Sequence, residues 1–568
     1  MHIHVVPNRG SPPTILLRES YREGAKVCKR TLANLSSLSL AQVEAMRALL
    51  RGEELRPIAQ CFEITASRPH GHVQAITAAM QRLGFAALIA SKPCRERDLV
   101  LAMVAARIVA PQTKLATTRW WHTTTLAEDF GVADASEDDL YAAMDWLLPR
   151  QDRIQQKLAA RHLHSGGLVL YDLTSSYFEG ITCPLAKFGH NRDGKRGLLQ
   201  VNYGLLTDVR GTPVAVSVHA GNTADSKTFL PEVQRLRQSF GIERMVMVGD
   251  RGMISQKAIA KMRDSDGMGW ITALKSASIR VLIEQGQLQL GLFDERNLLE
   301  LSSPDYPGER LVACRNPQLA KLRAHKREAL LAATEIKLTK IKARVDAGKL
   351  SGQDAIGLRV GKVVNRYKVA KHFALAISVA AFSFQRKADS IAAEAALDGL
   401  YLIRTSVPAA QMDAPDCVRN YKALANVERA FRSLKTVDLK VRPIHHHLAD
   451  RVRAHIFLCM LAYYVEWHLR EAWRELMFAD TDQQAKATRD PVAPAKRSQA
   501  ALAKVASKHL DDGTPAHSFG TLIAELATIV RNTCRTPSAG PDAPTFDILT
   551  TANPKQQRAF DLIQQIQL

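Results

Sequence analysis

GLVLYDLTSSYFEG (residues 167–180) and ERMVMVGDRG (residues 243–252) decide the fold. Each carries a short apolar run that ends on an acid, 168–171 before Asp172 and 245–249 before Asp250. Short continuous apolar runs bounded by turn residues read as strands buried on both faces. In an open sheet, ligands collect beyond the carboxyl ends of such strands. Two acids so placed on neighbouring strands stand side by side, and like charges at that range resist joint ionisation unless a cation neutralises them. An all-oxygen set of this kind suits Mg2+ or Mn2+. The plainer reading of either acid taken alone is a cap on the turn or helix that follows.

Between the two acids, VNYGLLTD (201–208) and TPVAVSVHAG (212–221) flank the turn VRG and read as antiparallel strands. Helical patterns follow at 225–241 and 255–267, with another strand at 270–275. Strand, strand pair, helix, strand, helix, strand is an α/β order, a mixed sheet with helices on its faces.

Upstream, residues 1–160 read as a mostly helical region suited either to DNA-end binding or to scaffolding. Amphipathic helices are expected at 39–52, 71–83, 97–109 and 139–163, the last broken at Pro149, and residues 5–27 read as short strands around a turn. Downstream, residues 161–275 form the first part of a catalytic domain. Residues 276–395 form an insertion with a long charged helix at 318–348 and strands beyond it. Its basic stretch RVGKVVNRYKVAKH (359–372) reads as a backbone contact or an exposed strand pair. Residues 396–475 return to the catalytic domain with helices at 420–437 and 451–473. Residues 476–568 form a C-terminal region with a loop at 480–501, a helix at 520–532 and a tail.

Bulk composition narrows the partner. Of the 568 residues, 77 are Lys or Arg against 56 Asp or Glu, a net charge of +21, which favours a polyanion. The most apolar stretch, 454–467, contains His455 and Glu466 and is shorter than the ~20 apolar residues of a membrane span. It reads as a buried helix, so no membrane partner is expected. The N-terminus lacks the basic and apolar segments of a signal peptide. The eight cysteines are scattered without a CxxC, which points to reduced thiols and a cytoplasmic protein.

A third carboxylate is offered by Glu428 in YKALANVERAFRSLK. Tyr421 and Lys435 stand seven residues to either side, on one face of a continuous helix, with Arg429 and Arg432 beside that face. Metal on one side and phosphate on the other would suit this stripe, and so would an exposed salt-bridged helix. The loop HNRDGKRG (190–197) adds Arg192, Lys195 and Arg196 as phosphate contacts, and Arg251 adds another beside Asp250. Asn222 and Asp225 read as caps of the helix they precede. His445, His446 and His447 read as a loop touching DNA or solvent, because adjacent helical residues point ~100° apart and three cannot face one metal.

Taken together, YDLTSSYFEG, VGDRGM and the Glu428 segment resemble the DDE transposases of bacterial insertion sequences. The likeness is to the branch with an inserted catalytic domain and a Tyr-x2-Arg-x3-Glu-x6-Lys signature. Tyr421, Glu428 and Lys435 fill that signature, while Leu424 stands at its arginine position. The resemblance spans residues 167–470. It implies a ribonuclease-H-like core interrupted by an insertion, with Asp172, Asp250 and Glu428 holding two Mg2+ ions. It also implies hydrolysis at the element's ends, attack of the freed 3′-hydroxyl on target DNA, and Tyr421 and Lys435 on the transferred strand. Double-stranded DNA and a homodimer in the end-paired complex are the implied partners. A two-metal nuclease without strand transfer and an inactive DNA-binding relic are the alternatives.

Overall fold

The structure, a computed structural model, describes residues 1–53, 61–289, 291, 293–536 and 544–568. It divides into two compact units, residues 1–68 with 529–551 and residues 69–528 with 552–568.

The smaller unit is built mainly of strands. His2–Val6, Thr14–Glu23 and Lys26–Asn34 form an antiparallel sheet, and the helix Leu40–Leu50 starts at a Ser39–Gln42 capping box. Ile15, Leu35 and Val43 form its small core. A second sheet joins Glu63–Pro69 to Val530–Arg535 and Thr545–Leu549. The helix expected over 520–532 therefore stops at Leu526, and the residues after it form a strand. The tail supplies a strand and the helix Pro554–Gln564. In the stretch read as mostly helical to residue 160, helices prevail only from Gly71 onward.

The larger unit is organised by an eight-stranded sheet, whose strands are numbered in chain order: β1 Leu168–Tyr177, β2 Gln200–Thr207, β3 Pro213–Ala220, β4 Met245–Val248, β5 Met268–Ala273, β6 Leu298–Leu301, β7 Arg310–Arg315 and β8 Leu400–Thr405. Across the sheet the order is β6-β7-β8-β5-β4-β1-β2-β3. The pairs β1/β4 and β4/β5 are parallel, and every other neighbouring pair is antiparallel. The mixed sheet expected from the sequence is therefore present, and β3-β2-β1-β4-β5 with its flanking helices is consistent with a ribonuclease-H-like core.

Alternation along β1 assigns its two faces. Tyr171 points toward the helix Asp225–Gln238, its ring 6.3 Å from that of Phe229, and lies across Gly204 of β2, where any Cβ would strike the tyrosine ring. Thr174 on the opposite face pairs with Tyr203, whose ring meets Phe431 of the Glu428 helix edge-on at 5.9 Å. On the flank of β3 the helix Ala449–Ala472 is buried almost throughout, together with Arg95–Val109 and Glu137–Leu147. The 454–467 stretch is thus core. Among the described residues no single helix is long and apolar enough to cross a membrane. The pattern at 139–163 divides at Pro149 into Glu137–Leu147 and Gln151–His162 around a 3-10 turn.

Part of residues 276–395, expected from the sequence to be an insertion, extends the sheet, because β6 and β7 join it through β8. Arg404 of β8 forms a bidentate pair with Glu309 at 2.5 and 2.6 Å, and both side chains are buried. Arg263 and Trp270 also donate to Glu309, which fixes this corner to β5 and the helix before it. Residues 317–395 form a layer with its own core, from helices Pro317–Asp346 and Gln353–Tyr367 and the hairpin Phe373–Ile377/Phe382–Arg386. Residues 353–367 are a helix and no strand pair. Ile356, Val360 and Val364 recur every fourth residue and bury one helical face, leaving the cations outward.

Candidate functional site

The parallel register of β1 and β4 sets the site. Leu168 pairs with Val246, Val169 with Met247 and Leu170 with Val248. Asp172 and Asp250 each stand two residues beyond the last pair. β4 ends before its acid, and the Asp250 carbonyl accepts from the amides of Met253 and Ile254 as the chain turns. β1 does not end at Asp172, contrary to the expectation from its apolar run. Antiparallel pairing with β2 carries it on to Tyr177, opposite Gln200. Asp172 is at a strand end only with respect to its parallel neighbour.

The helix Leu424–Arg432 lies over this face and buries Val427, Ala430 and Phe431. Its start is held by the β2–β3 turn, where Asn426 Nδ2 donates to the Val209 carbonyl at 2.9 Å. Gly211 at φ +91° lets that turn approach, since a Cβ there would stand 2.8 Å from Asn426 Cβ. Glu428 is exposed.

Electrostatics tie the three acids together. Asp172 is half-buried, and its carboxyl is pushed up to about 7. Burial is the first cause, and the charges of Asp250 and Glu428 add to it against the Leu173 amide and Arg192. Leu173 N donates to Asp172 Oδ1 at 2.8 Å, and Arg251 N donates to Asp250 Oδ1 at 2.7 Å. Among the described residues, no three of His, Cys, Asp and Glu are gathered closely enough to hold one metal ion as they stand. Asp172 feels the charges of Asp250 and Glu428, but the three do not form a ready ligand set.

Tyr421, Glu428 and Lys435 do not share one continuous helix. Tyr421 lies in the last turn of the helix Ala414–Lys422, Glu428 lies on Leu424–Arg432, and Lys435 lies in a π-helical turn over Ser433–Val437. The Tyr421 phenol is pushed up by burial first and by the neighbouring Asp250 carboxylate second, which keeps it protonated. Leu424, at the arginine position of the signature, packs on the core. Arg429 and Arg432 are exposed on the helix surface.

Lys435 is buried, and its ammonium is lowered by that burial while Asp193 opposes the shift. Its Nζ donates to Asp193 Oδ1 at 2.9 Å, and Arg442 pairs with the same oxygen. Asp193 lies inside the basic loop 190–197 and also accepts from the Tyr177 amide. Sequence reasoning missed it, although it stands in that loop between Arg192 and Lys195. Arg192 pairs with Asp225 at 2.6 Å, and Lys195 stands 5.8 Å above the Tyr177 ring. Arg196 is exposed and faces the helix Gln353–Tyr367 across a groove. Asp225 begins its helix without a side-chain cap, so the caps expected from Asn222 and Asp225 are absent. His446 is half-buried against Tyr141 and His455, which removes it from solvent and lowers its imidazole to about 3, through burial first. His445 and His447 are exposed.

Residues 169–465, just over half of the chain, match the family model described as the Transposase DDE domain. The chain belongs to the DDE transposase family. Residues 3–59 match the model of the IS1634 family transposase N-terminal domain, within the smaller unit. The DDE match runs from β1 into the long core helix and so encloses all three acids as well as the inserted layer. Two solved structures overlap the chain in part. A piggyBac transposase synaptic complex with hairpin DNA aligns at 8% identity and a TM-score of 0.35, over 80% of this chain and 77% of the other. The Mos1 transposase paired-end complex with left transposon end aligns at 11% identity and a TM-score of 0.15, over 43% of this chain and 76% of the other. Superpositions this loose carry no argument. No curated relative matches.

Proposed function

We propose that this DDE transposase cleaves DNA at the ends of an insertion sequence and joins the freed 3′-hydroxyl to target DNA, using Asp172, Asp250 and Glu428. The observation that supports this most is the parallel β1/β4 pairing, whose last pair lies two residues before both Asp172 and Asp250, with the charges of Asp250 and Glu428 both acting on Asp172. Three carboxylates with no nitrogen or sulfur donor suit Mg2+ or Mn2+. Bound there, Mg2+ supplies activation of the attacking oxygen and stabilisation of the leaving one.

The chain's own groups do the rest. Asp172, Asp250 and Glu428 would hold the cations. Tyr421, protonated beside Asp250, orients that carboxylate and contacts phosphate. It is not a nucleophile, so no covalent protein–DNA bond forms. Arg251 reaches the scissile phosphate from the turn after Asp250, and Arg429 and Arg432 take backbone phosphates along the helix. Lys435, Arg192, Lys195 and Arg196 bring the 190–197 loop onto the DNA, with Lys435 exchanging Asp193 for phosphate. A homodimer pairs two double-stranded ends, and the protein acts in the cytoplasm at DNA.

The test uses the full chain, a precut 3′-hydroxyl donor end bearing the element's terminal repeat, and a supercoiled target with Mg2+. Joined products support the transposase, and cleavage of uncut ends without joining supports a nuclease. Asp172→Asn, Asp250→Asn and Glu428→Gln should each lower both steps by at least about a thousandfold, in line with electrostatic contributions of several kcal/mol. Folded variants that retain full Mg2+-dependent cleavage would overturn the assignment.

A further inference from the structure

In the smaller unit, the hairpin of Thr14–Glu23 and Lys26–Asn34 outruns the third strand of its sheet. His2–Val6 pairs with it only from Thr14 to Arg18. Beyond that point the two strands run alone for five pairs, from Glu19 opposite Arg30 to Glu23 opposite Lys26. The register shifts between Leu17 and Arg18, and a bulge of this kind bends and twists the ribbon where it leaves the sheet. Gly24 at φ +63° closes the hairpin in a two-residue turn with Ala25, so the tip carries no bulky side chain. Residues 20–27 and 29–34 are exposed. A two-stranded ribbon with no further strand or helix against it is marginally stable in water, and a ligand would steady it.

Strand alternation and the register divide the ribbon's side chains between two faces. Glu19, Tyr21 and Glu23 share one face with Lys26, Cys28 and Arg30. That face is neutral, with two acids opposite two cations, and Arg30 pairs with Glu19 at 2.9 Å. It continues the side of Ile15 and Leu17, which packs on the helix Leu40–Leu50 through Val43 and Met46. Arg18, Ser20 and Arg22 share the other face with Val27, Lys29 and Thr31. This face carries three cations and no acid. Among the described residues, no side-chain hydrogen bond or ion pair engages Arg18, Arg22 or Lys29. Like charges lined up on an unsupported ribbon repel one another, and a polyanion laid against them relieves that.

Shape and chemistry then select the polyanion. From Arg18 to Glu23 the ribbon spans about 17 Å at ~3.4 Å per residue, roughly the length of five base pairs of B-DNA at ~3.4 Å each. The major groove of B-DNA, about 12 Å wide, admits a two-stranded ribbon, whereas that of an RNA helix is too narrow for side chains to read. The acid-free face also carries the groups that read bases. Arg and Lys meet guanine O6 and N7, Ser and Thr hydroxyls bond either base pair, and an apolar side chain meets the thymine methyl. We propose that this ribbon lies in the major groove of duplex DNA, turns Arg18, Ser20, Arg22, Val27, Lys29 and Thr31 to the base edges, and so reads part of the element's terminal sequence. The inference rests on the transposase reading for the identity of that duplex. Recognition of sequence then belongs to a β-ribbon, carried on a different unit from the three carboxylates.

Fluorescence anisotropy on the full-length protein tests this, without metal and at physiological salt. The probes are a duplex bearing the element's terminal repeat and a scrambled duplex of equal length. Arg22→Ala combined with Lys29→Ala should weaken binding to the repeat at least about tenfold, since each bidentate base contact discriminates by roughly five- to hundredfold. Binding to the scrambled duplex should fall less than about threefold. Glu23→Gln combined with Lys26→Gln, on the other face of the same ribbon, should leave both affinities within about threefold and shows that the ribbon tolerates substitution. Dimethyl sulfate should find guanine N7 atoms of the repeat protected by the parent and released by the Arg22/Lys29 variant. Equal loss on both duplexes, no loss on the repeat, unchanged N7 protection, or a parent that does not distinguish the duplexes overturns the inference. Binding needs no catalysis, so a failed joining assay beside intact discrimination counts against the catalytic assignment alone.

Discussion

Glu466 lies in the middle of the core helix Ala449–Ala472, fully buried. Its Oε1 accepts from Ser433 Oγ at 2.9 Å and from Arg470 Nε at 2.5 Å, while Oε2 has no partner. Ser433 opens the π turn that carries Lys435, and Arg470 also pairs with Asp438 at 2.8 Å, so one carboxylate braces the end of the Glu428 segment. Burial raises the Glu466 carboxyl from its usual 4.5 to about 7, against Arg470 and with the help of Asp438. At ~1.4 kcal/mol per tenfold, that preference for the neutral form is worth about 3 kcal/mol. The folded state holds the proton more tightly than the unfolded chain. Stability from this group is therefore complete below pH 4.5 and is lost as pH rises through about 7. Glu466→Gln keeps the acceptor for Ser433 and cannot ionise. Its melting temperature relative to the parent should rise between pH 5.5 and 8.5, by about 2 kcal/mol of stability, since part of the effect is already spent between pH 4.5 and 5.5. At ~2–4 °C per kcal/mol for domains of 150–250 residues, and less for larger ones, that is a shift of a few degrees. Differential scanning calorimetry at both pH values reads it directly. A difference that does not change with pH, or a variant that loses more at pH 8.5 than at 5.5, would refute the reasoning.

Glu309→Ala leaves Arg404 buried without its bidentate partner, and removing one member of such a pair costs about 3–5 kcal/mol; calorimetry should find the larger unit melting several degrees lower, and an unchanged transition would count against a structural role for the pair. Gly204→Ala drives a methyl into the Tyr171 ring on the β1/β2 ladder and should destabilise by about 1–3 kcal/mol, whereas Gly204→Ala combined with Tyr171→Leu should recover part of that loss. Asp193→Asn removes the shared partner of Lys435 and Arg442. Duplex binding at low salt should tighten by roughly three- to tenfold with a steeper salt dependence, and weaker binding would mean that Asp193 holds the loop in its DNA-binding shape instead.

Much of the site was legible because short-range patterns carry it. The apolar runs before Asp172 and Asp250 locate two strands, and the order of elements around them predicts the mixed sheet. The third candidate acid was picked out by the spacing of Tyr421, Glu428 and Lys435, and not by periodicity. The same spacing misled on geometry, since one continuous helix was expected where a break and a π turn occur. The basic run 359–372 was open to two readings because its cations hide a four-residue repeat of Ile356, Val360 and Val364.

By itself, the sequence determined which residues are apolar, where the acids fall within those runs, and how much positive charge the chain carries. These are local properties, fixed by residue type and by the 2.0 and 3.6 residue periods of strand and helix. Only the tertiary structure decided which strands are neighbours. That choice made β1 run past Asp172, because β2 supplied backbone partners as far as Tyr177. It also paired β1 with β4 so that both acids follow the last pair by two residues, brought Asp193 to Lys435 across 242 residues of chain, and left Arg280, Arg323, Lys326 and Lys368 around one cavity. Each is a long-range arrangement, chosen by the packing of whole elements and not by any local preference of the chain.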